Sequence, residues 1–167
     1  MTLRRRALLL VAISCLTAVG ITACGGTSKP PPPKHFKTPK FLLHAGLGFG
    51  AFHTFIWAPA HAGKFATSPS AVSDAADAAT FAANQLKQAA GYARRNPAER
   101  SLFAALTVVA DKVGALRAAI VGPSSSLAAI EAVNQSLNRI NQAASAGGHH
   151  INDASPAQIA AAGGPRT

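Results

Sequence analysis

Residues 68–95 read SPSAVSDAADAATFAANQLKQAAGYARR, and the spacing of apolar residues in this stretch decides the fold. Val72, Ala76, Ala79, Ala83, Leu86, Ala90 and Ala93 alternate steps of four and three, which aligns them along one side of an α-helix. Ser68 before Pro69 marks the start. The serine hydroxyl can accept a hydrogen bond from a free backbone N–H, and proline at the first helical position gives up an N–H that has no partner there. The seam is mostly alanine, so a neighbouring helix can come close. The predicted helix spans 69–95.

Downstream, Asn96-Pro97-Ala98-Glu99 combines an N-cap, a first-turn proline and an acid at the third position, a capping-box pattern. Leu102, Leu106, Val109, Val113, Leu116 and Ile120 keep the same spacing, giving a helix over 97–121 closed by Gly122-Pro123. Ser124 to Ser126 offers the next cap. A third helix over 125–144 carries the stripe Leu127, Ile130, Val133, Leu137, Ile140 and Ala144. No run alternates in the manner of a strand, so the expected class is all-α. Short connections make successive helices antiparallel, which implies an up-and-down helical bundle of three to four helices. Residues 146–167 are expected to form a flexible C-terminal tail, with one weak helical turn from Ser155 to Ala162.

Upstream lies the most hydrophobic part of the domain, Phe41 to Ala58, expected as a helix over 39–58 that begins at Thr38-Pro39 and ends at Pro59. At 100° per residue, Phe41, Phe49, Phe52, Phe55 and Ile56 share a broad face, while Leu43, Leu47 and Trp57 fall on the other. A helix apolar on all sides is buried either in protein or in lipid. His44, His53 and three interior glycines favour packing into the bundle over spanning a bilayer, and Gly46 with Gly50 forms a Gly-x-x-x-Gly pair that admits a close helical neighbour. The bundle domain is therefore placed at 39–145.

The N-terminus has a separate logic. Arg4, Arg5 and Arg6 precede an almost wholly apolar run from Ala7 to Ala23, the layout of a secretory signal. The run ends in Ile21-Thr22-Ala23-Cys24, which resembles the lipobox of bacterial lipoproteins. The resemblance covers about the first 25 residues. It implies a signal peptide over 1–23, cleavage before Cys24, lipid on that cysteine, and a domain exported and anchored to the bacterial cell membrane. Loss of Cys15 and acylation of Cys24 would leave no free thiol, hence no disulfide and no thiolate metal site.

Residues 24–38 read as a basic, proline-rich linker. The glycines and Ser28 give a flexible step, and Pro30 to Pro33 give a stiff rod that lifts the domain from the bilayer. The chain carries 16 Lys and Arg against 6 Asp and Glu, a formal charge of +10. Lys29, Lys34, Lys37 and Lys40 concentrate that charge beside Cys24 in a stretch without acids, where they can contact anionic phospholipid headgroups at about 1 kcal/mol each. Later residues carry both signs. Neither a basic helix nor interleaved aromatic and basic residues occur there, so nucleic acid is not an expected partner.

Catalytic and metal chemistry find little support. No Gly-x-Ser-x-Gly occurs, the serines cluster at caps, and Asp74 with Asp77 lies near a helix start where the dipole favours negative charge. Gly46-Leu47-Gly48-Phe49-Gly50 follows no strand and lacks the Lys-Ser/Thr of a phosphate loop. Of six histidines, His44 and His53 fall on opposite sides of their helix. His149 and His150 with Asp153 lack a third ligand at helical spacing, so no metal and no cofactor are expected. The least ordinary feature is aromatic. Phe41, Phe49, Phe52, Phe55 and Trp57, with Gly46 and Gly50, either pack the core or line a groove for a lipid tail or apolar ligand. The expected function is a membrane-tethered, non-enzymatic helical module that contacts a protein or the envelope. The alternatives are a carrier or sensor of an apolar ligand through the aromatic helix, and a small integral membrane component with residues 41–58 in the bilayer.

Overall fold

The computed structural model describes residues 39–122 and 127–166, and among these every regular element is helical. The signal sequence, Ile21, Thr22, Ala23, Cys24, the linker with Lys29, Lys34, Lys37 and Thr38, and the expected cap from Ser124 to Ser126 lie outside the described residues. In chain order the elements are α1 (Lys40–Phe52), a π-helical turn (His53–Trp57), α2 (Ala58–His61), α3 (Lys64–Thr67), α4 (Pro69–Arg95), α5 (Arg100–Val121), α6 (Leu127–Ala146) and α7 (Pro156–Ala161). They form an all-α helical bundle in which α4 packs along both α1 and α5, and α5 along α6.

The start of α4 is as expected: the Ser68 hydroxyl accepts from the Ala71 N–H at 3.3 Å, with Pro69 in the first turn. Two other starts are corrected. α1 begins at Lys40, with Pro39 at the cap and no side-chain cap bond. α5 begins at Arg100 rather than at 97, because the Asn96 carboxamide accepts from Ala98 N–H at 3.2 Å and holds 97–99 in a turn. Glu99 is thereby buried at the corner instead of completing a capping box.

Pro59 does not end the aromatic helix. A proline ring clashes with the carbonyl four residues earlier, here that of Phe55. The turn His53–Trp57 is widened to π-helical geometry just before the proline, and the helix continues through Pro59 to His61.

The buried strip of α4 is broader than the alanine seam, since Ala75, Ala78, Ala82 and Ala89 are buried as well. The cause is that α4 has a helix on either side. α1 and the π-helical turn fill one side, α1 with Phe41, Phe49 and Phe52 and the turn with Phe55 and Ile56, all at most 6% exposed. Large rings set against alanine methyls fill the space that small side chains leave. The stripe of α5 is buried as expected, and so is that of α6 from Ile130 to Ala144. Leu127 is half exposed at the helix end.

Gly48 is the point of close approach between α1 and α4. A Cβ there would lie 2.9 Å from Leu86 Cγ and 3.2 Å from the Ala82 carbonyl oxygen. Gly46 and Gly50 face elsewhere, and their neighbour is not a helix. A Cβ on Gly46 would come 2.5 Å from the Asn152 carbonyl oxygen, and one on Gly50 would overlap the backbone of Ala154. The Ala154 N–H donates to the Gly46 carbonyl at 2.9 Å. The glycine pair thus accommodates an irregular, non-helical segment of the chain.

That segment belongs to the residues expected as a flexible tail, and the expectation is corrected. Ile151 is 2% exposed and Ile159 fully buried. α6 ends at Ala146 and the chain turns at Gly148, which takes φ +81°, while His149 N–H bonds Ala144 O and Gly148 N–H bonds Ser145 O, the paired bonds of a Schellman motif. α7 opens with a full capping box between Ser155 and Gln158 and closes through Gly163 at φ +82° with the same pair of bonds. We call residues 149–155, which lie across α1, the strap.

Lys40–His61 is the one helical stretch among the described residues that is long and apolar enough to cross a membrane, and most of its apolar window is buried within the bundle.

Candidate functional site

The π-helical turn re-aims two polar side chains, His53 and Trp57, toward α6 and the strap; widened turns of this kind are frequent at functional positions. His53 Nδ1 lies 2.6 Å from Asp153 Oδ2 and its Nε2 3.1 Å from Asn134 Oδ1. A doubly protonated ring donates to both. A neutral ring serves both only when the Asn134 carboxamide presents its NH2. Burial pulls the His53 pKa down, but the hydrogen bond and charge of Asp153, with the Asn134 bond, outweigh it and leave the pKa above its ordinary value.

One turn on, Trp57 Nε1 donates to Glu131 Oε2 at 3.2 Å, and His61 Nε2 stands 3.4 Å from the same oxygen. The His61 ring tilts against the indole at 4.5 Å between centroids. Donation from Trp57 holds the Glu131 carboxyl below its usual range against the opposing effect of burial, with Asn134 and His61 helping. His53, Thr54, Trp57, Asn134, Asn138 and Asp153 border a cleft of about 550 Å³.

Two further histidines also bridge elements. His44 Nδ1 meets the buried Gln85 Oε1 at 2.7 Å and stacks on Tyr92, with ring centroids 5.3 Å apart and planes within 8°. His149 packs edge-on to Phe41 at 5.5 Å and sets its Nε2 3.8 Å from Glu99 Oε1. That oxygen is buried without a hydrogen-bond partner among the described residues. Burial raises the Glu99 pKa, while the charge of His149 and a bond from Asn96 pull it back in part.

The site residues expected from sequence are dispersed. Phe41, Phe49, Phe52 and Phe55 are in the core, Trp57 borders the polar cleft, and Gly46 and Gly50 receive the strap. Lys40 is exposed, with its ammonium 5.6 Å from the Tyr92 ring centroid. His149, His150 and Asp153 are drawn apart: His149 to Glu99, His150 to Ser145 at 3.1 Å, and Asp153 to His53. No cluster of three potential metal-ligating side chains occurs among the described residues. As expected, His44 and His53 leave their helix toward different partners.

Sequence reasoning missed the pairing of His53 with Asp153, which lie 100 positions apart, and the roles of Asn134 and Glu131. The chemistry available in the cleft is proton holding and hydrogen bonding. Both His53 nitrogens are engaged, which suits a clamp joining the π-helical turn, α6 and the strap better than a general base that needs a free lone pair.

Fold and site together define an all-α bundle with a polar, histidine-clamped cleft. No family model, no curated protein and no solved structure matches the chain.

Proposed function

We propose that the chain is an exported bacterial lipoprotein, cut before Cys24 and held at the cell membrane by lipid on that cysteine, whose helical bundle is a non-enzymatic interaction module of the envelope. The observation that carries the reading is the run Ile21-Thr22-Ala23-Cys24 placed after a basic head and an apolar stretch. The glycine step and the four prolines that follow fit a spacer, and the lysines around it fit contact with anionic headgroups.

The fate of the aromatic helix supports an interaction module over the two alternatives. A carrier built on that helix needs its phenylalanines beside open space, whereas Phe41 and Phe52 are fully buried. A bilayer-embedded helix needs its apolar surface turned to lipid, whereas most of the apolar window within Lys40–His61 is covered by the bundle. The expected partner is a protein or envelope surface met by the outer faces of the bundle.

The test is fractionation of a bacterial host expressing the full chain and its Cys24→Ala variant. The parent is expected in membranes and the variant in the soluble fraction. Retention of the variant in membranes after a high-salt wash contradicts tethering by lipid.

A further inference from the structure

An open apolar groove runs between α5 and α6. Its floor is made by Leu102, Val109 and Ile140, each at most 6% exposed, and its walls include Ala105, Val108 and Ala143. On α5, Ser101, Ala105, Val108 and Lys112 follow a four-three-four spacing, so the groove is about 16 Å long at 1.5 Å per residue. Its origin is steric. The branched side chains of the floor set the distance between the two helices, and the alanines beside them are too short to fill the gap above. Val108 is left 53% exposed at the groove wall, an apolar side chain that gains from being covered.

Only two lining side chains are charged, Lys112 and Arg139, and both are cationic. Neither has an ion-pair partner among the described residues. Asp111, the neighbour of Lys112, is paired with Lys87 at 3.4 Å. The groove's volume of about 420 Å³ lies within the range of small-molecule sites, roughly 300–1,000 Å³. An apolar, single-chain-sized trough with unpaired cations at its edge matches a slender molecule with one anionic end.

We propose that the α5–α6 groove binds a single-chain anionic amphiphile, a long-chain carboxylic acid, with its chain along Leu102, Val109 and Ile140 and its carboxylate held by Lys112 and Arg139. A guanidinium and an ammonium are suited to this head, since charge-assisted hydrogen bonds to carboxylate are about twice as strong as neutral ones. The site lies wholly within the bundle, so it does not depend on lipid at Cys24.

The experiment uses membranes of a bacterial host expressing the full chain, irradiated with palmitic acid that carries a diazirine in its chain, followed by mapping of adducts on the isolated protein. Adducts are expected on residues 101–112 and 136–143. Ala105→Trp, which places a large side chain in the groove from an exposed position, lowers them about fivefold or more, with helicity by circular dichroism as the control for folding. Should that variant fail to fold, Lys112→Glu with Arg139→Glu serves in its place, both sites being exposed; it lowers labelling about tenfold, equivalent to about 1.4 kcal/mol of binding. A diazirine probe of equal length with an alcohol head labels less than the acid. Adducts confined to other segments, labelling unchanged in the folded variants, or equal labelling by acid and alcohol overturns the proposal.

Discussion

The two flanks of α5 are built on opposite plans. Toward α4, small residues sit in the seam itself: Ala79, Ala83 and Ala90 are buried there, and a Cβ on Gly114 would only touch the Ala83 methyl, at 3.6 Å. Toward α6, branched residues sit in the seam and alanines sit beside it, which keeps the helices apart and opens a groove. The lesson concerns placement rather than composition. Alanine in a seam closes an interface, and alanine next to a seam of leucine, valine and isoleucine leaves a trough.

The comparison can be broken most forcefully on the closed side. Phe52→Ala empties a fully buried site among alanines that cannot collapse to fill it, so chemical denaturation is expected to show a loss of about 4 kcal/mol. A loss below about 1 kcal/mol would mean that the ring is not packed against α4. Next in size is Gly50→Ala, where the added methyl overlaps the backbone of Ala154 and must push the strap away from α1, for an expected loss of about 3 kcal/mol. The same denaturation series reads it, and a neutral result would detach the strap from Gly50.

His53→Gln sharpens the picture, because it removes a charge-assisted contact of about 2 kcal/mol and with it a pH dependence. The His53 pKa is raised on folding, so the stability it contributes is fully present below about 6.5, the ordinary histidine value, and is lost as pH rises through the higher folded value. Glu99 is also raised and therefore acts in the same sense, from its ordinary carboxyl value upward. The melting temperature of the parent is expected to fall as pH rises above about 6.5, and that fall is expected to shrink in His53→Gln. Equal slopes in the two proteins would remove His53 from the clamp. The smallest effect is expected on the open side: Ala105→Trp has room in the groove and should change stability by less than about 0.5 kcal/mol.

How far the sequence predicted this architecture follows from the range of each signal. The helix over 69–95 was readable to the residue, because a serine-proline start and a long four-three repeat are local. The start of α5 was misplaced because Asn96 bonds Ala98 and forms a turn, a use of the same residues that the capping-box pattern does not distinguish. Pro59 was misread as a stop because the π-helical turn that makes room for it leaves no mark in hydrophobic spacing. The helical turn expected from Ser155 to Ala162 is present as α7, with its capping box at Ser155 and Gln158, but the docking of the end of the chain is the largest omission. What no local rule supplies is that Ile151 and Ile159 are buried, or that Gly46 and Gly50 make room for a strap rather than a helix. The His53–Asp153 clamp depends on that same docking and was hidden with it.

The central claim is that α1 belongs to the core, held by α4 on one side and by the strap on the other. Residue-resolved hydrogen exchange on the purified chain tests it most directly, through two strap amides outside any helix: Ala154, bonded to the Gly46 carbonyl, and Ile151, bonded to Asn141 Oδ1 at 3.0 Å. Slow exchange at both, on the timescale of the α4 amides around Ala82 to Leu86, is the predicted result. Exchange at the rate of an unstructured peptide while α4 remains protected would contradict the account.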